Sequence, residues 1–259
     1  MSFVKPCRAL WLREILRFVR QPSRMIGALA TPLLFWLLIG SGFGKSFQDQ
    51  ESGQNYFEFF FPGALTMSVL FTAIFSTMSV IEDRHQGFLQ GVLVSPASRA
   101  SIVGGKVLGG ATLALFQGLL LLLVSPFAGV ELTLAKFVII GLLLFAMAIC
   151  MTGLGFMFAW KIDSVQGYHG IMNIVLMPMW MLSGSLFPIS KTGGVFEWLG
   201  KINPLTYGVG ALRDVMWNAT SSEVFWNSVK SLGILFLMGA FFSFASWTIM
   251  KGKNQKYVD

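Results

Sequence analysis

The 259-residue sequence has few charged residues and two cysteines. Asp, Glu, Lys and Arg make up 12% of the chain and hydrophobic residues 54%, whereas a soluble globular protein has about twice that charged fraction. Cys7 lies in a basic N-terminal segment and Cys150 in a long apolar run, so no disulfide is expected between them. The composition therefore excludes an ordinary soluble domain.

Motifs for chemistry are also missing. His85 and His169 lie in different regions, and neither has a second His or a Cys at metal-ligand spacing. The nearest approach to a phosphate loop is ASIVGGKV, residues 100–107, in which Ala100 replaces the first glycine and Val107 the metal-binding hydroxyl. The sequence therefore predicts a chain that is no enzyme, binds no metal and holds no cofactor of its own.

What the sequence does have is long apolar runs. Six charge-free runs cover residues 25–44, 59–81, 107–130, 137–160, 164–190 and 231–250. Each has the ~20 residues that a helix needs to cross a bilayer. The sequence predicts an all-α membrane protein in which residues 1–259 form a single transmembrane domain. We place its six spans at about residues 25–43, 59–81, 104–125, 137–160, 167–187 and 231–250.

The basic residues predict the orientation of these spans. With six spans, thirteen of the 19 Lys and Arg residues fall on the side of the termini and six on the other. The positive-inside rule then places both termini in the cytoplasm of a bacterium or archaeon. The net charge of +7 is explained by topology and anionic lipid headgroups, so no nucleic-acid partner is expected.

The segment before the first span, RALWLREILRFVRQPSR, has the pattern of an amphipathic helix lying on the membrane surface. A simple basic anchor is the alternative. The expected apolar face holds Leu12, Ile15, Leu16 and Val19, and the polar face holds Arg13, Glu14, Arg17 and Arg20.

The six charge-free runs contain no Asp, Glu, Lys or Arg. Ion-coupled transporters usually need such groups within the membrane to bind the coupling ion. If this chain moves a solute uphill, the energy is therefore expected to come from another protein.

A short segment between the second and third spans, IEDRHQGFLQGVLVSPASR, is half apolar and half charged. Phe88, Leu89, Val92 and Leu93 fall on one face of a predicted two-turn helix that follows Gly87. Such a helix is too short to span, and it would lie flat or insert into a groove of a partner. An inert loop with one helical turn is the alternative.

The segment after the fifth span is too apolar for a free loop. Pro178 is expected to kink or interrupt that span, and Glu197 and Lys201, at i and i+4, favour a short helix. Asn203 and Pro204 predict an N-cap and first residue of a second short helix. Its expected apolar face holds Leu205, Val209, Leu212 and Met216. Both helices are expected to dip into the outer leaflet as re-entrant elements.

Two segments resemble the membrane subunits of ABC-2-type export permeases, in the daunorubicin-resistance and nodulation-exporter group. The first is the segment between spans two and three, which matches at Glu82, Arg84, Gly87, Leu89, Leu93, Ser95, Pro96, Ser98, Arg99, Gly105 and Lys106. The second lies after span five and matches at Pro188, Trp198, Asn203, Pro204, Leu205, Thr206, Tyr207 and Arg213. With the six spans and the amphipathic N-terminal helix, the resemblance covers the whole chain.

The resemblance implies that the first segment is a coupling helix, which docks on a separate ATP-binding cassette subunit that binds ATP and Mg. It also implies a complex with a second copy of this chain or a paralogous permease. Phe88, Leu89, Val92 and Leu93 would be inserted into the ATPase. The other site residues implied are Gly87, Ser95 and Pro96, a charged rim of Glu82, Asp83, Arg84 and Arg99, and a second contact at Arg13 and Arg17. Gly91 departs from the family, whose members more often have an acidic or larger residue there.

The sequence therefore predicts the permease subunit of an ATP-driven exporter in the cytoplasmic membrane, for a hydrophobic, lipid-linked or glycan substrate. An ATP-independent secondary transporter or channel is the alternative, and an intramembrane enzyme is disfavoured because no catalytic pair is present.

Overall fold

A computed structural model describes residues 3–43, 55–188, 194–217 and 221–252, which form helices joined by short connections. A 3₁₀ turn at Ser125–Ala128 and a π-helical turn at Met181–Ser185, here called the π-turn, complete the regular structure described. The α-helices are α1 (Val4–Val19), α2 (Pro22–Phe43), α3 (Tyr56–Ser76), α4 (Met78–His85), α5 (Phe88–Val94), α6 (Arg99–Leu122), α7 (Leu134–Lys161), α8 (Val165–Trp180), α9 (Gly194–Ile202), α10 (Pro204–Trp217) and α11 (Ser222–Gly252).

The prediction of an all-helical membrane protein is confirmed for the part of the chain described. Five stretches are long and apolar enough to cross a bilayer: Met25–Phe43, Tyr56–His85, Arg99–Leu122, Leu134–Lys161 and Ser222–Lys251. They correspond to five of the six predicted spans.

The predicted span at residues 167–187 is not one long helix. Helix α8 has 16 residues, a length of about 24 Å, which is less than the ~30 Å hydrocarbon core. It ends two residues after Pro178, which confirms the predicted interruption, and the π-turn follows with Gly184 at φ +85°. The count of six spans is therefore not confirmed, since this segment reaches its full length only through irregular backbone.

Helix α3 lies at the centre of the bundle and packs against α2, α6 and α7, while α1 packs on α6 and α11 on α7. In the most apolar part of Tyr56–His85, which contains α3, 89% of the residues are buried within the chain. The corresponding fraction is only 17% in Met25–Phe43, which belongs to α2, and 17% in Ser222–Lys251, which belongs to α11. A helix that is apolar all round belongs in a core. The exposed apolar faces of α2 and α11 are thus left for lipid or for another protein.

The second span is broken between α3 and α4 at Thr77. Thr77 Oγ1 donates a hydrogen bond to the carbonyl of Ile74 at 2.6 Å, and Ser76 Oγ donates to Ala73 O at 2.7 Å. Hydroxyl groups that bond back to the preceding turn compete with the helical ladder and bend helices. The Tyr168 hydroxyl lies 2.7 Å from Thr77 Oγ1 and holds the break against α8.

The two short helices predicted after span five are present as α9 and α10. Helix α10 begins at Pro204, and Asn203 Oδ1 accepts a hydrogen bond from the Leu205 N–H at 3.0 Å. Glu197 and Lys201 form the predicted i, i+4 pair at 2.8 Å on α9. The expected apolar face of α10 is confirmed as buried: Leu205, Val209, Leu212 and Met216.

Candidate functional site

Helix α5 forms where the sequence predicts a two-turn helix. Gly87, at φ +74°, turns the chain out of α4, a backbone conformation that favours glycine. At the other end Ser95 is extended, and its hydroxyl donates to Val92 O at 2.7 Å. Pro96 follows, so the helix is bounded at both ends as expected.

The apolar face of α5 packs largely on its own chain. Leu89 is 4% exposed and lies in the core, and Val92 and Leu93 pack against that core. Phe88 is 36% exposed and Val94, at the end of the helix, 86%. This differs from the expected insertion of all four apolar residues into a partner, because the bundle itself covers most of that face.

Asp83 is the centre of a group of charged side chains at the same end of the bundle. Arg13 binds it with both guanidinium nitrogens, at 2.7 and 2.6 Å, and Arg17 Nη1 lies 3.1 Å from Asp83 Oδ1. Arg17 also reaches Glu82 at 2.6 Å. Asp83 is fully buried, so the position expected at an exposed rim is instead inside the protein.

Lys106 completes this group from α6. Its ammonium donates to Glu14 Oε1 at 2.6 Å, to Ser79 Oγ at 3.0 Å and to Asp83 Oδ2. A lysine has three donors, and all three are used here. Lys106 and Glu14 are each 4% exposed, so each buried charge has a partner, as burial requires.

We call Arg13, Glu14, Arg17, Glu82, Asp83 and Lys106 the buried ion cluster. It contains three positive and three negative side chains from α1, α4 and α6, so its formal charge is zero. The hydrogen bond to Asp83 raises the pKa of Arg13 above its ordinary value. Arg13 also lies 3.7 Å from the ring centre of Phe88, which connects the cluster to α5.

Two glycines of α6 let α1 come close enough for these contacts. A Cβ at Gly105 would lie 2.7 Å from Cys7 O and 2.8 Å from Leu10 Cβ. A Cβ at Gly109 would lie 2.8 Å from Glu14 Cβ. Since real Cβ atoms essentially never approach so closely, the pairing of Glu14 with Lys106 depends on glycine at these positions.

Arg84 points away from the cluster and binds the end of α7. Its guanidinium donates to Asp163 Oδ1 at 2.7 Å and to the carbonyls of Trp160 and Ile162 at 2.8 and 3.2 Å. A cation at a helix C-terminus satisfies carbonyls that have no partner within the helix. Arg84 therefore fixes α4 to the α7–α8 connection.

The sequence predicted site roles for four members of the buried ion cluster: Arg13, Arg17, Glu82 and Asp83. Its other two members, Glu14 and Lys106, were not among the predicted site residues. Arg99 is the half-exposed first residue of α6 and follows the N-cap Ser98, whose hydroxyl accepts from Ser101 N at 3.1 Å. Glu14 was expected on the polar face of α1, and Lys106 was matched only as the start of a span. The available signal was that Lys106 is a single charge between glycine and apolar residues, but nothing in the sequence pairs it with Glu14.

The residues of the second predicted motif lie at the other end of the bundle, around the π-turn. Arg213 donates to Gly184 O at 3.0 Å and lies 4.0 Å from the ring centre of Phe59. Asn203 Nδ2 donates to Met179 O. The Tyr207 hydroxyl donates to Lys201 O at 2.7 Å. Pro188 is half-buried after the π-turn, and Trp198 is 61% exposed on α9.

Known proteins that are similar to this chain match it along most of its length. Residues 5–217 match the family model described as ABC-2 type transporter. The putative transport permease ycf38 of Cyanophora paradoxa is 27% identical over 238 residues, which cover 90% of this chain and 82% of that protein. The inner membrane transport permease YadH of Escherichia coli (strain K12) is 25% identical over 248 residues, 94% of each chain. Nodulation protein J of Rhizobium meliloti (strain 1021) is 26% identical over 216 residues, 80% of each.

Proposed function

The chain belongs to the ABC-2 type transporter family, and we propose that it is the permease subunit of an ATP-driven exporter whose ATP-binding cassette ATPase is a separate chain. Two of its relatives are named transport permeases. The absence of a phosphate loop from this sequence supports a division of labour, in which ATP and Mg bind to the partner.

The observation that supports this proposal most is the placement of α5. The helix presents Val94 and part of Phe88 to solvent, while Leu89 fixes it to the core. Through Phe88 and Arg13 it contacts the buried ion cluster, which joins α1, α4 and α6. A force applied to the exposed side of α5 would therefore be transmitted to two of the long apolar stretches, Tyr56–His85 through α4 and Arg99–Leu122 through α6.

The rest of the proposal concerns the assembly in the membrane. We place both termini in the cytoplasm by the positive-inside rule. Helix α8 and the π-turn together form the fifth of six crossings, and α9 and α10 enter the outer leaflet as re-entrant helices. The exposed apolar faces of α2 and α11 contact lipid and a second copy of the chain or a paralogous permease.

The transported substrate leaves the cytoplasm between the two membrane subunits, by alternating access or lateral extrusion. We propose a hydrophobic, lipid-linked or glycan substrate. The many apolar side chains in the bundle suit the first two.

Co-purification tests the proposal. The chain is expected to purify with an ATP-binding cassette ATPase encoded beside its gene, and Val94→Asp is expected to weaken that association at least about tenfold. Val94 is 86% exposed, so the change leaves folding intact. Substitution of the buried Leu89 would be less informative, because it would also disturb the core.

Leu134→Asp is the matched control, because Leu134 is 81% exposed at the first position of α7, outside the predicted spans and at the opposite end of the bundle. It is expected to leave the association unchanged. An unaltered complex with Val94→Asp would refute the docking role of α5. Transport by this chain alone in liposomes, without ATPase, would favour the secondary transporter or channel instead.

A further inference from the structure

A groove of about 640 Å³ lies between α1 and the turn that joins α4 to α5. Leu12, Leu16 and Arg20 line it from α1, and their spacing of four residues places them on one helical face. Gln21, just after α1, and Gln86, in the turn after α4, belong to the same lining. The wall that α1 forms therefore changes from apolar to basic along the helix.

The contacts of α1 place this groove at the level of the cytoplasmic leaflet in the proposed topology. Helix α1 packs on α6 at Gly105 and Gly109, where an added Cβ would meet Cys7 and Glu14. These glycines lie about 9 and 15 Å along α6 from its first residue, and half of the hydrocarbon core is also about 15 Å. A phospholipid is already present at this depth, whereas a cytoplasmic protein would have to enter the membrane to reach it.

Arg20 gives the groove its net charge. Arg13 and Arg17 also line it, but their guanidinium groups are paired with Asp83 and Glu82. The guanidinium of Arg20 is exposed and has no ion pair or hydrogen bond within the part of the chain described. No Asp or Glu is among the described residues that line the groove. An anion beside Arg20 would therefore meet one unbalanced positive charge and no carboxylate in the lining.

The other lining residues suit the remaining parts of a phospholipid. Leu12 and Leu16 are 45% and 46% exposed, so they offer apolar surface to an acyl chain. The side chains of Gln21 and Gln86 are exposed, and their amides can donate to and accept from the hydroxyls of a headgroup. The groove thus combines the apolar, charged and polar contacts that a phospholipid requires.

We propose that this groove binds an anionic phospholipid of the cytoplasmic leaflet, with its phosphate on Arg20 and an acyl chain along Leu12 and Leu16. The phosphodiester would neutralise Arg20 through charge-assisted hydrogen bonds. The bound lipid would hold α1, and with it the buried ion cluster, at the membrane surface. The inference uses the topology of the proposed function and goes beyond it, because it assigns a site to a membrane lipid.

Lipid binding is measured by native mass spectrometry on the purified full-length chain, delipidated in a neutral detergent and without ATPase. The probes are palmitoyl-oleoyl phosphatidylglycerol, which is anionic, and the phosphatidylethanolamine with the same acyl chains. One phosphatidylglycerol per chain is expected to bind at least about fivefold more tightly than phosphatidylethanolamine, because a single arginine near the membrane surface contributes about that factor. Equal affinities would overturn the anionic class.

Arg20→Gln tests the phosphate contact. It is expected to weaken phosphatidylglycerol binding about fivefold and to leave phosphatidylethanolamine binding unchanged. Arg8→Gln is the matched control, because it also removes one exposed positive charge from α1, but Arg8 lines a different crevice beside Cys7 and Trp11. The control is expected to bind like the wild type. Equal losses in the two variants would show a general attraction of the basic helix for anionic lipid and would overturn the groove.

Leu16→Asp tests the groove by a second route. A carboxylate four residues before Arg20 on the same face would pair with it, so phosphatidylglycerol binding is expected to weaken at least about fivefold. Val4→Asp makes the same kind of change at the other end of α1, where Val4 is 68% exposed, and is expected to bind like the wild type. Unchanged binding in both Arg20→Gln and Leu16→Asp would overturn the site.

Two additions separate the proposed lipid from other occupants. Excess inorganic phosphate is expected to leave phosphatidylglycerol bound, and its release would show a site for phosphate alone. The lipid is also expected to stay bound when ATPase is added, and its loss would show that the groove is a protein contact instead. Failure of the co-purification would refute the permease proposal and leave lipid binding standing. Loss of selective lipid binding in a chain that still associates with ATPase would refute this site alone.

Discussion

The two ends of the bundle satisfy their buried polar groups in different ways. At one end, six charged side chains from three helices form the neutral buried ion cluster. Around the π-turn, side chains donate mainly to backbone carbonyls: Trp180 Nε1 to Gly63 O at 2.9 Å and the Tyr56 hydroxyl to Leu186 O at 3.0 Å. An unpaired buried charge costs more than a lost neutral hydrogen bond. Single substitutions should therefore have larger effects at the ion-cluster end.

The largest effect is expected for Asp83→Asn. The change leaves Arg13 and Lys106 without their shared buried carboxylate, and breaking a buried pair costs about 3–5 kcal/mol. The free energy of unfolding in detergent, followed by tryptophan fluorescence, is expected to fall by about 3 kcal/mol or more.

Glu82→Gln is the control for that change. Glu82 is in the same cluster but 29% exposed and paired with Arg17, so its loss should cost at most about 1 kcal/mol. Adding Arg13→Met to Asp83→Asn removes a charge of each sign, leaves the Lys106–Glu14 and Arg17–Glu82 pairs in place, and should recover part of the lost stability. Equal losses of unfolding free energy in Asp83→Asn and Glu82→Gln would contradict the position of Asp83 as the centre of the cluster.

An intermediate effect is expected at the other end for Asn203→Ala. The change removes both the acceptor for Leu205 N and the donor to Met179 O, which should cost about 1–2 kcal/mol. Asn203→Asp keeps the acceptor and should lose less in the same unfolding measurement. A cost above that of Asp83→Asn would reverse the comparison between the two ends.

The smallest effect is expected for Glu197→Gln on α9. The hydrogen bond from Lys201 lowers the pKa of Glu197, so any stabilisation is present above the ordinary carboxylate pKa and is lost as the pH falls. The pair is solvent-exposed, and such pairs contribute little. The melting temperatures of variant and wild type should coincide at pH 7 and at pH 4, and a clear difference at pH 7 would contradict this.

The sequence predicted those elements whose signals are local. Helix α5 was found from Gly87, Pro96 and a short apolar spacing, and α10 from Asn203 and Pro204 at its start. In each case the deciding residues lie within about ten positions of one another, so turn and capping preferences act directly.

The buried ion cluster was not predicted, because its partners are far apart in the chain. Arg13 and Asp83 are 70 positions apart, and Glu14 and Lys106 are 92. In the sequence, Arg13 and Glu14 fall on the polar face of a predicted amphipathic helix and Lys106 lies near the start of a predicted span, where a solvated side chain is the usual case. The interruption of the fifth span was predicted from Pro178, but the π-turn with Gly184 at φ +85° was not, because hydropathy does not distinguish a straight helix from one that ends in a π-turn.

The break at Thr77 has a consequence for how the protein moves. Within the cluster, α4 contributes two negative charges, while α1 and α6 each contribute one net positive charge. Displacing α4 by itself would separate its two carboxylates from the cations of α1 and α6 in a low-dielectric interior, so α4 is expected to shift together with α1 and α6. The break between α3 and α4, with its hydroxyls bonded to carbonyls of α3, is then the place where we expect the chain to bend when α4 is displaced.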